Sequence, residues 1–171
     1  MQQSRRLILV RHAKAEQSGT TDAERALAES GQHDAEAGGA WLAGAGYSPD
    51  HALVSSARRA QETWVALSGG GGWQVEADVS RLLYSGEPET VIDLIRELPD
   101  DARSVLVVGH NPTMAQLANL CDDGSGDDVA AIELTSGGFP TCSLAVFEYD
   151  GDWADLDVTS ARLMAFHVGR A

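Results

Sequence analysis

Lysine is almost absent from this chain: Lys14 is the single one in 171 residues. With 12 Lys and Arg against 26 Asp and Glu, the formal net charge is −14. A surface that acidic repels nucleic acid and anionic membrane, which argues against both as general partners. Cysteine is scarce as well. Cys121 and Cys142 lack metal-ligand spacing and are too few for a disulfide framework, so a reduced, cytoplasmic setting is expected. No apolar run approaches the roughly 20 residues that cross a bilayer. The run that follows Met1 to Arg6 is also too short for a signal peptide. There is no internal repeat and no linker, and the length suits one domain over residues 1–171.

What the chain does have is short, dense apolar runs, two of which end in histidine. Leu7-Ile8-Leu9-Val10 leads into Arg11-His12, and Val105-Leu106-Val107-Val108 leads into Gly109-His110. Such runs read as buried parallel strands. A third strand is expected at Ala52 to Ser55, a short one at Trp73 to Ala77, and later ones at Ser143 to Tyr149 and Asp157 to Leu163. Helices are expected between Ala23 and Ala43, over Ser56 to Leu67, from Pro88 to about Leu98, and from Asn111 or Pro112 to Leu120, with Ser55 or Ser56 a candidate N-cap. Gly31, Gly38 and Gly39 weaken the first helix, a loss that close approach to the sheet would offset. Gly69 to Gly72 reads as a flexible turn. Strands alternating with helices predict a three-layer α/β/α sandwich, with a mainly parallel central sheet and helices on both faces.

In such sheets ligands collect beyond the carboxyl ends of the strands. Four of the few cations, Arg11, Lys14, Arg58 and Arg59, lie at or just beyond predicted strand ends. Two imidazoles and a group of cations at one sheet edge make a plausible anion site. The acidic segment Asp122 to Asp128 lacks the spacing and terminal glutamate of a calcium loop, and reads as solvated.

Leu9-Val10-Arg11-His12-Ala13-Lys14 resembles the signature of the histidine phosphatase superfamily, which has the phosphoglycerate mutase-like fold. Ser55-Ser56-Ala57-Arg58-Arg59-Ala60-Gln61-Glu62-Thr63 resembles its second motif, and Val108-Gly109-His110-Asn111-Pro112 its third. Asp22-Ala23-Glu24-Arg25-Ala26-Leu27, with Gly31 beyond, is similar to a pattern of the small SixA-type phosphohistidine phosphatases. Ala13, where the mutases carry glycine, agrees with that group.

The resemblance implies a cofactor-independent phosphatase that needs no metal, with His12 as nucleophile forming a phosphohistidine intermediate. Arg11 and Arg59 are the implied clamp on the phosphoryl oxygens, because the planar guanidinium fork matches phosphate. The register of the second motif favours Arg59 over Arg58, which reads as a rim charge. His110 is the implied second imidazole, with the N-terminus of the following helix aiding the same anion. Arg25 and Asn111 are candidate substrate contacts. Lys14 is either a third or a solvated loop lysine.

The acid for the leaving group is less legible. Glu87, in Gly86-Glu87-Pro88, is either that acid or a carboxylate favoured by a helix dipole. A phosphohistidine substrate would not need it, since a protonated imidazole leaves readily whereas an alkoxide does not. The expected substrate is therefore phosphorylated, with phosphohistidine on a partner protein ahead of the alternatives. Those are a small-molecule phosphomonoester and a phosphate-binding domain without catalysis.

Overall fold

Four consecutive residues, Leu7 to Val10, have no solvent exposure, which is what a strand covered on both faces requires. They form the middle of β1 (Arg5–Arg11) in the computed structural model, which describes residues 4–171. The other strands are β2 (His51–Ser55), β3 (Ala77–Ser80), β4 (Ser104–Gly109), β5 (Ser143–Tyr149) and β6 (Arg162–Val168). Their order in one sheet is β3-β2-β4-β1-β5-β6. The pairs β3–β2, β2–β4 and β4–β1 are parallel, and β5 runs antiparallel to both β1 and β6.

The pleat sends alternate residues to two separate cores. Leu7, Leu9, Val105, Val107 and Phe147 pack on one face; Ile8, Val10, Leu106, Val108 and Val146 pack on the other. The second face is covered by α1 (Glu29–Gly44) and α2 (Arg58–Gly71), through Ala35, Leu42, Ala60, Trp64 and Leu67. The first is covered by α3 (Leu82–Ser85), α4 (Pro88–Arg96), α5 (Thr113–Cys121) and α6 (Asp128–Gly137). Three layers result. The chain leaves β1 toward β2 across one face and leaves β4 toward β5 across the other, so the crevice between β1 and β4 is the topological switch point.

Several local expectations are corrected. Helix α1 begins at Glu29, because residues 26–28 pair with 14–16: Glu16 N–H donates to Ala26 O at 2.8 Å, and Ala28 N–H to Lys14 O at 2.9 Å. The glycines of α1 permit contacts other than the one expected. A Cβ on Gly39 would collide with the Leu67 carbonyl of α2, and one on Gly31 with the Lys14 carbonyl; Gly38 alone faces the sheet, at Leu144. Gly69 to Gly71 are no turn but the last residues of α2, where Gly70 lies against the Glu36 carbonyl, and the helix ends on left-handed Gly72. Neither Ser55 nor Ser56 is the N-cap of α2; that position is Ala57, although Ser55 Oγ accepts from its N–H at 3.2 Å. Strands β3 and β6 start four and five residues later than expected, at Ala77 and Arg162. Helix α6 was not expected at all; its N-cap is Asp127 of the acidic segment, which accepts from Ala130 N–H at 2.8 Å.

Close helix packing gives a two-sided stability prediction. Gly39→Ala drives a methyl into backbone and should destabilise by about 1–3 kcal/mol. Gly44→Ala, whose new Cβ would meet nothing within 4 Å among the described residues outside its own stretch of helix, should stabilise by about 0.4–1 kcal/mol. Denaturant midpoints check both signs.

Candidate active site

Strand register assembles the site. In the parallel β1–β4 ladder Val10 lies beside Val108 and Arg11 beside Gly109, and His12 N–H continues it by donating to Gly109 O at 3.0 Å. The residues just beyond, His12 and His110, therefore emerge side by side, with ring centroids 5.1 Å apart. On the other flank of β4, Val54 pairs with Val108, which brings Ser55 next to the same edge. Helix α2 starts three residues after Ser55 and places Arg59 in its first turn.

Around the two rings lies a hollow of about 320 Å³, lined by Arg11, His12, Lys14, Arg25, Arg59, His110 and Asn111, together with Ala15, Gln17 and Thr141. Seven of the eight residues singled out from the sequence thus meet at one place. Glu87 does not line it. It is exposed at the N-cap position of α4, and its side chain makes no capping bond. A larger cavity of about 500 Å³ between α1 and α2, with Gln32, Glu36, Glu62 and Val65 in its walls, is lined by no basic side chain. Among the described residues no three His, Cys, Asp or Glu side chains gather closely enough to hold a metal ion.

The protonation pattern at His12 follows from its partner. Nδ1 lies 2.7 Å from the Ala13 carbonyl, which can only accept, so Nδ1 carries the proton and Nε2 keeps its lone pair. His12 is 8% exposed. Burial, with added repulsion from Arg59, Arg11 and Arg25, outweighs the Ala13 bond and brings its pKa down to about 4. At neutral pH the ring is uncharged, with an open lone pair on Nε2.

His110 is set the other way round. Arg59 Nη2 faces its Nδ1 at 3.4 Å, so Nε2 carries the proton and donates to Ser55 Oγ at 2.7 Å. Burial first, then repulsion from His12 and Arg59, brings its pKa down to about 3. The loop bearing His12 is pinned from two sides. Thr63 Oγ1 accepts from Ala13 N–H at 3.0 Å and donates to Arg59 O at 2.7 Å; the Cys142 N–H lies 3.1 Å from both the Arg11 and the His12 carbonyls.

The cations divide by exposure. Arg59 is 6% exposed, and its Nε, like that of Arg11, is buried with no acceptor among the described residues. Unspent buried guanidinium donors are costly unless a ligand takes them up. Arg11 otherwise donates to Phe139 O at 3.2 Å. Arg58 lies outside the hollow, paired with Glu62 at 3.1 Å. Asn111 already spends both ends of its amide, on Phe139 O at 2.7 Å and Ala115 N–H at 3.2 Å, so it braces the start of α5. Lys14 is exposed at the rim. Sequence reasoning gave no role to Asp22 or Tyr84. Asp22 holds Arg59 through Oδ2 at 3.1 Å and through its carbonyl at 2.8 Å, and Arg25 through Oδ1 at 3.1 Å. The Tyr84 hydroxyl donates to Asp22 Oδ2. Asp22 had a signal, its place in the Asp-x-x-Arg pattern; Tyr84 had none.

Comparison with known proteins gives the family and the fold. The sequence model of the histidine phosphatase superfamily (branch 1) matches residues 7–80. A protein from Nakamurella multipartitia, assigned as the phosphohistidine phosphatase SixA, is 31% identical with a TM-score of 0.86, over 99% of this chain and 98% of that one. The chain belongs to the histidine phosphatase superfamily. Another member, assigned as SixA of Agrobacterium tumefaciens, is 32% identical with a TM-score of 0.77, over 96% of this chain and 97% of that one. An uncharacterised protein of Mycobacterium tuberculosis (strain H37Rv) is 38% identical over 94% of this chain and all of its own length. The fold is the phosphoglycerate mutase-like one, and the protein is a phosphatase.

The lowered histidine pKa values have a consequence for stability. Between about pH 6.5 and 4 the unfolded chain binds a proton at His12 that the folded chain refuses, so stability falls as pH falls through that window. His110 acts in the same direction. Urea midpoints should therefore drop between pH 7 and 4.5, and drop less in the His12→Ala/His110→Ala double variant. Parallel slopes would contradict the burial of neutral rings.

Proposed function

We propose that this phosphatase hydrolyses N-linked phosphoryl groups, foremost phosphohistidine carried by a partner protein, through a covalent intermediate on His12. The Nε2 lone pair attacks phosphorus while the bond to the substrate nitrogen breaks, its electron pair leaving with the imidazole. Water then attacks phosphorus, the His12 N–P bond breaks, and inorganic phosphate departs. The Ala13 carbonyl, which accepts from Nδ1–H, supports the positive charge that His12 gains as the phosphoryl group adds. Arg11 and Arg59 supply preorganised donors for the oxygens. His110 joins them once the phosphoryl dianion favours a proton on its Nδ1.

The observation that carries the choice of substrate is the state of the acid. Among the described residues Asp22 is the one carboxylate hydrogen-bonded to Arg59. Bonds from Tyr84, then Arg59 and Arg25, bring its pKa down to about 2. A carboxylate held ionised cannot protonate an alkoxide, whereas an imidazole already protonated on its far nitrogen needs no such help. The exposed rim, with Lys14 and Gln17, suits a phosphorylated side chain projecting from a folded partner.

The test is a substrate panel on the purified protein. Phosphohistidine should be turned over with a kcat/KM at least about 100-fold above that of alkyl phosphates. Arg59→Ala should lose about 10²- to 10³-fold in kcat. Equal turnover of alkyl phosphates would assign a small-molecule phosphomonoesterase. Phosphate binding without release from any donor would assign a binding domain.

A further inference from the structure

We infer that Asp22 is a positioning residue: it fixes the Arg59 guanidinium in the orientation that matches the five-coordinate phosphoryl group. The inference rests on the phosphoryl-transfer reading of the site. It begins from an oddity, because a carboxylate stands against the cationic wall of a site built for anions. Its side chain is 56% exposed. An ion pair so open to solvent contributes little to stability, and by Coulomb's law alone its charge opposes binding of any dianion nearby.

Its bonds show what offsets that penalty. Arg59 rises from the first turn of α2, and a long side chain there has many rotamers. Asp22 takes one hydrogen from Nη1 with its carbonyl, at 2.8 Å, and one from Nη2 with Oδ2, at 3.1 Å. Two parallel contacts from one residue fix the plane of the guanidinium. Nε is buried and has no acceptor among the described residues, so these two contacts and the Asp22 bonds behind them hold the group. Asp22 is itself held at both oxygens, by Arg25 Nε on Oδ1 at 3.1 Å and by the Tyr84 hydroxyl on Oδ2. The Tyr84 ring in turn lies against His110, with centroids 5.5 Å apart, and 5.9 Å from Arg59 Cζ. One carboxylate therefore joins the turn at Asp22–Glu24 to α2 and α3, and both cations it holds line the hollow. Such support around a reacting group sets its geometry more than its affinity.

The experiment compares two anions. Inorganic phosphate mimics the tetrahedral ground state, and orthovanadate can adopt the five-coordinate geometry of the transition state. In Asp22→Ala, phosphate affinity should stay within about threefold of the parent, while vanadate affinity falls at least about tenfold. The kcat on phosphohistidine should fall about 10- to 100-fold with KM little changed. Asp22→Asn, which keeps an oxygen able to accept from Arg59, should recover part of both losses, and it takes over the test if the alanine variant fails to fold. Tyr84→Phe should lower kcat in the parent and add nothing in Asp22→Ala, since its partner is then gone. Parallel changes in both affinities, tighter binding of both anions, or an unchanged kcat would overturn the inference. A parent inactive on every phosphoryl donor would instead count against the phosphatase reading of this site, and the two-anion comparison would still judge Asp22.

Discussion

The site depends on the register of one strand pair. Strand β4 is buried along its length and β1 from Leu7 to Val10, and the two lie parallel, with Arg11 beside Gly109. A slip of one residue would turn Leu7 and Leu9 from one core to the other and expel His12 from the edge. The apolar packing on both faces therefore does more than hold the sheet together. It sets two imidazoles 5.1 Å apart at the point where the chain reverses its direction across the sheet. Ser55, Arg59 and the loop after His12 are then placed by their own short links to those strand ends.

Charge is the second constraint. A protein with a formal net charge of −14 must gather its cations to hold an anion. Here Arg11, Lys14, Arg25 and Arg59 come from three segments to a single hollow. Burial first, with Arg59 and Arg11 adding to it, keeps His12 and His110 neutral. In the proposed mechanism the cationic wall both binds the phosphoryl group and preserves the lone pair that attacks it. Asp22 stands in that wall as a counter-charge that its partners hold ionised, which removes it as a proton donor.

Much of this arrangement was legible in the sequence. Runs such as Leu7 to Val10 can be little else than buried strands, and the histidine and arginine positions follow from the strand ends they adjoin. What escaped detection has a common physical cause. Helix α6 has no clear apolar stripe, and its start is set by a side-chain cap at Asp127. The glycines of α1 and α2 pack backbone against backbone, a contact invisible until two helices are laid together. Tyr84 reaches the site only because β3 ends where it does, and a misplaced β3 left it without a neighbour. Glu87 sits two residues beyond the carboxyl end of α3, the helix that bears Tyr84, yet it faces solvent, since its backbone is committed to starting α4.

The most direct test of the account is to find where phosphorus becomes attached. Brief exposure of the purified protein to labelled phosphohistidine, followed by alkaline quenching and peptide mapping, should yield an acid-labile, alkali-stable label on His12 that is absent from His12→Ala. A label on another residue, or rapid turnover with no trapped label and undiminished activity in His12→Ala, would contradict it.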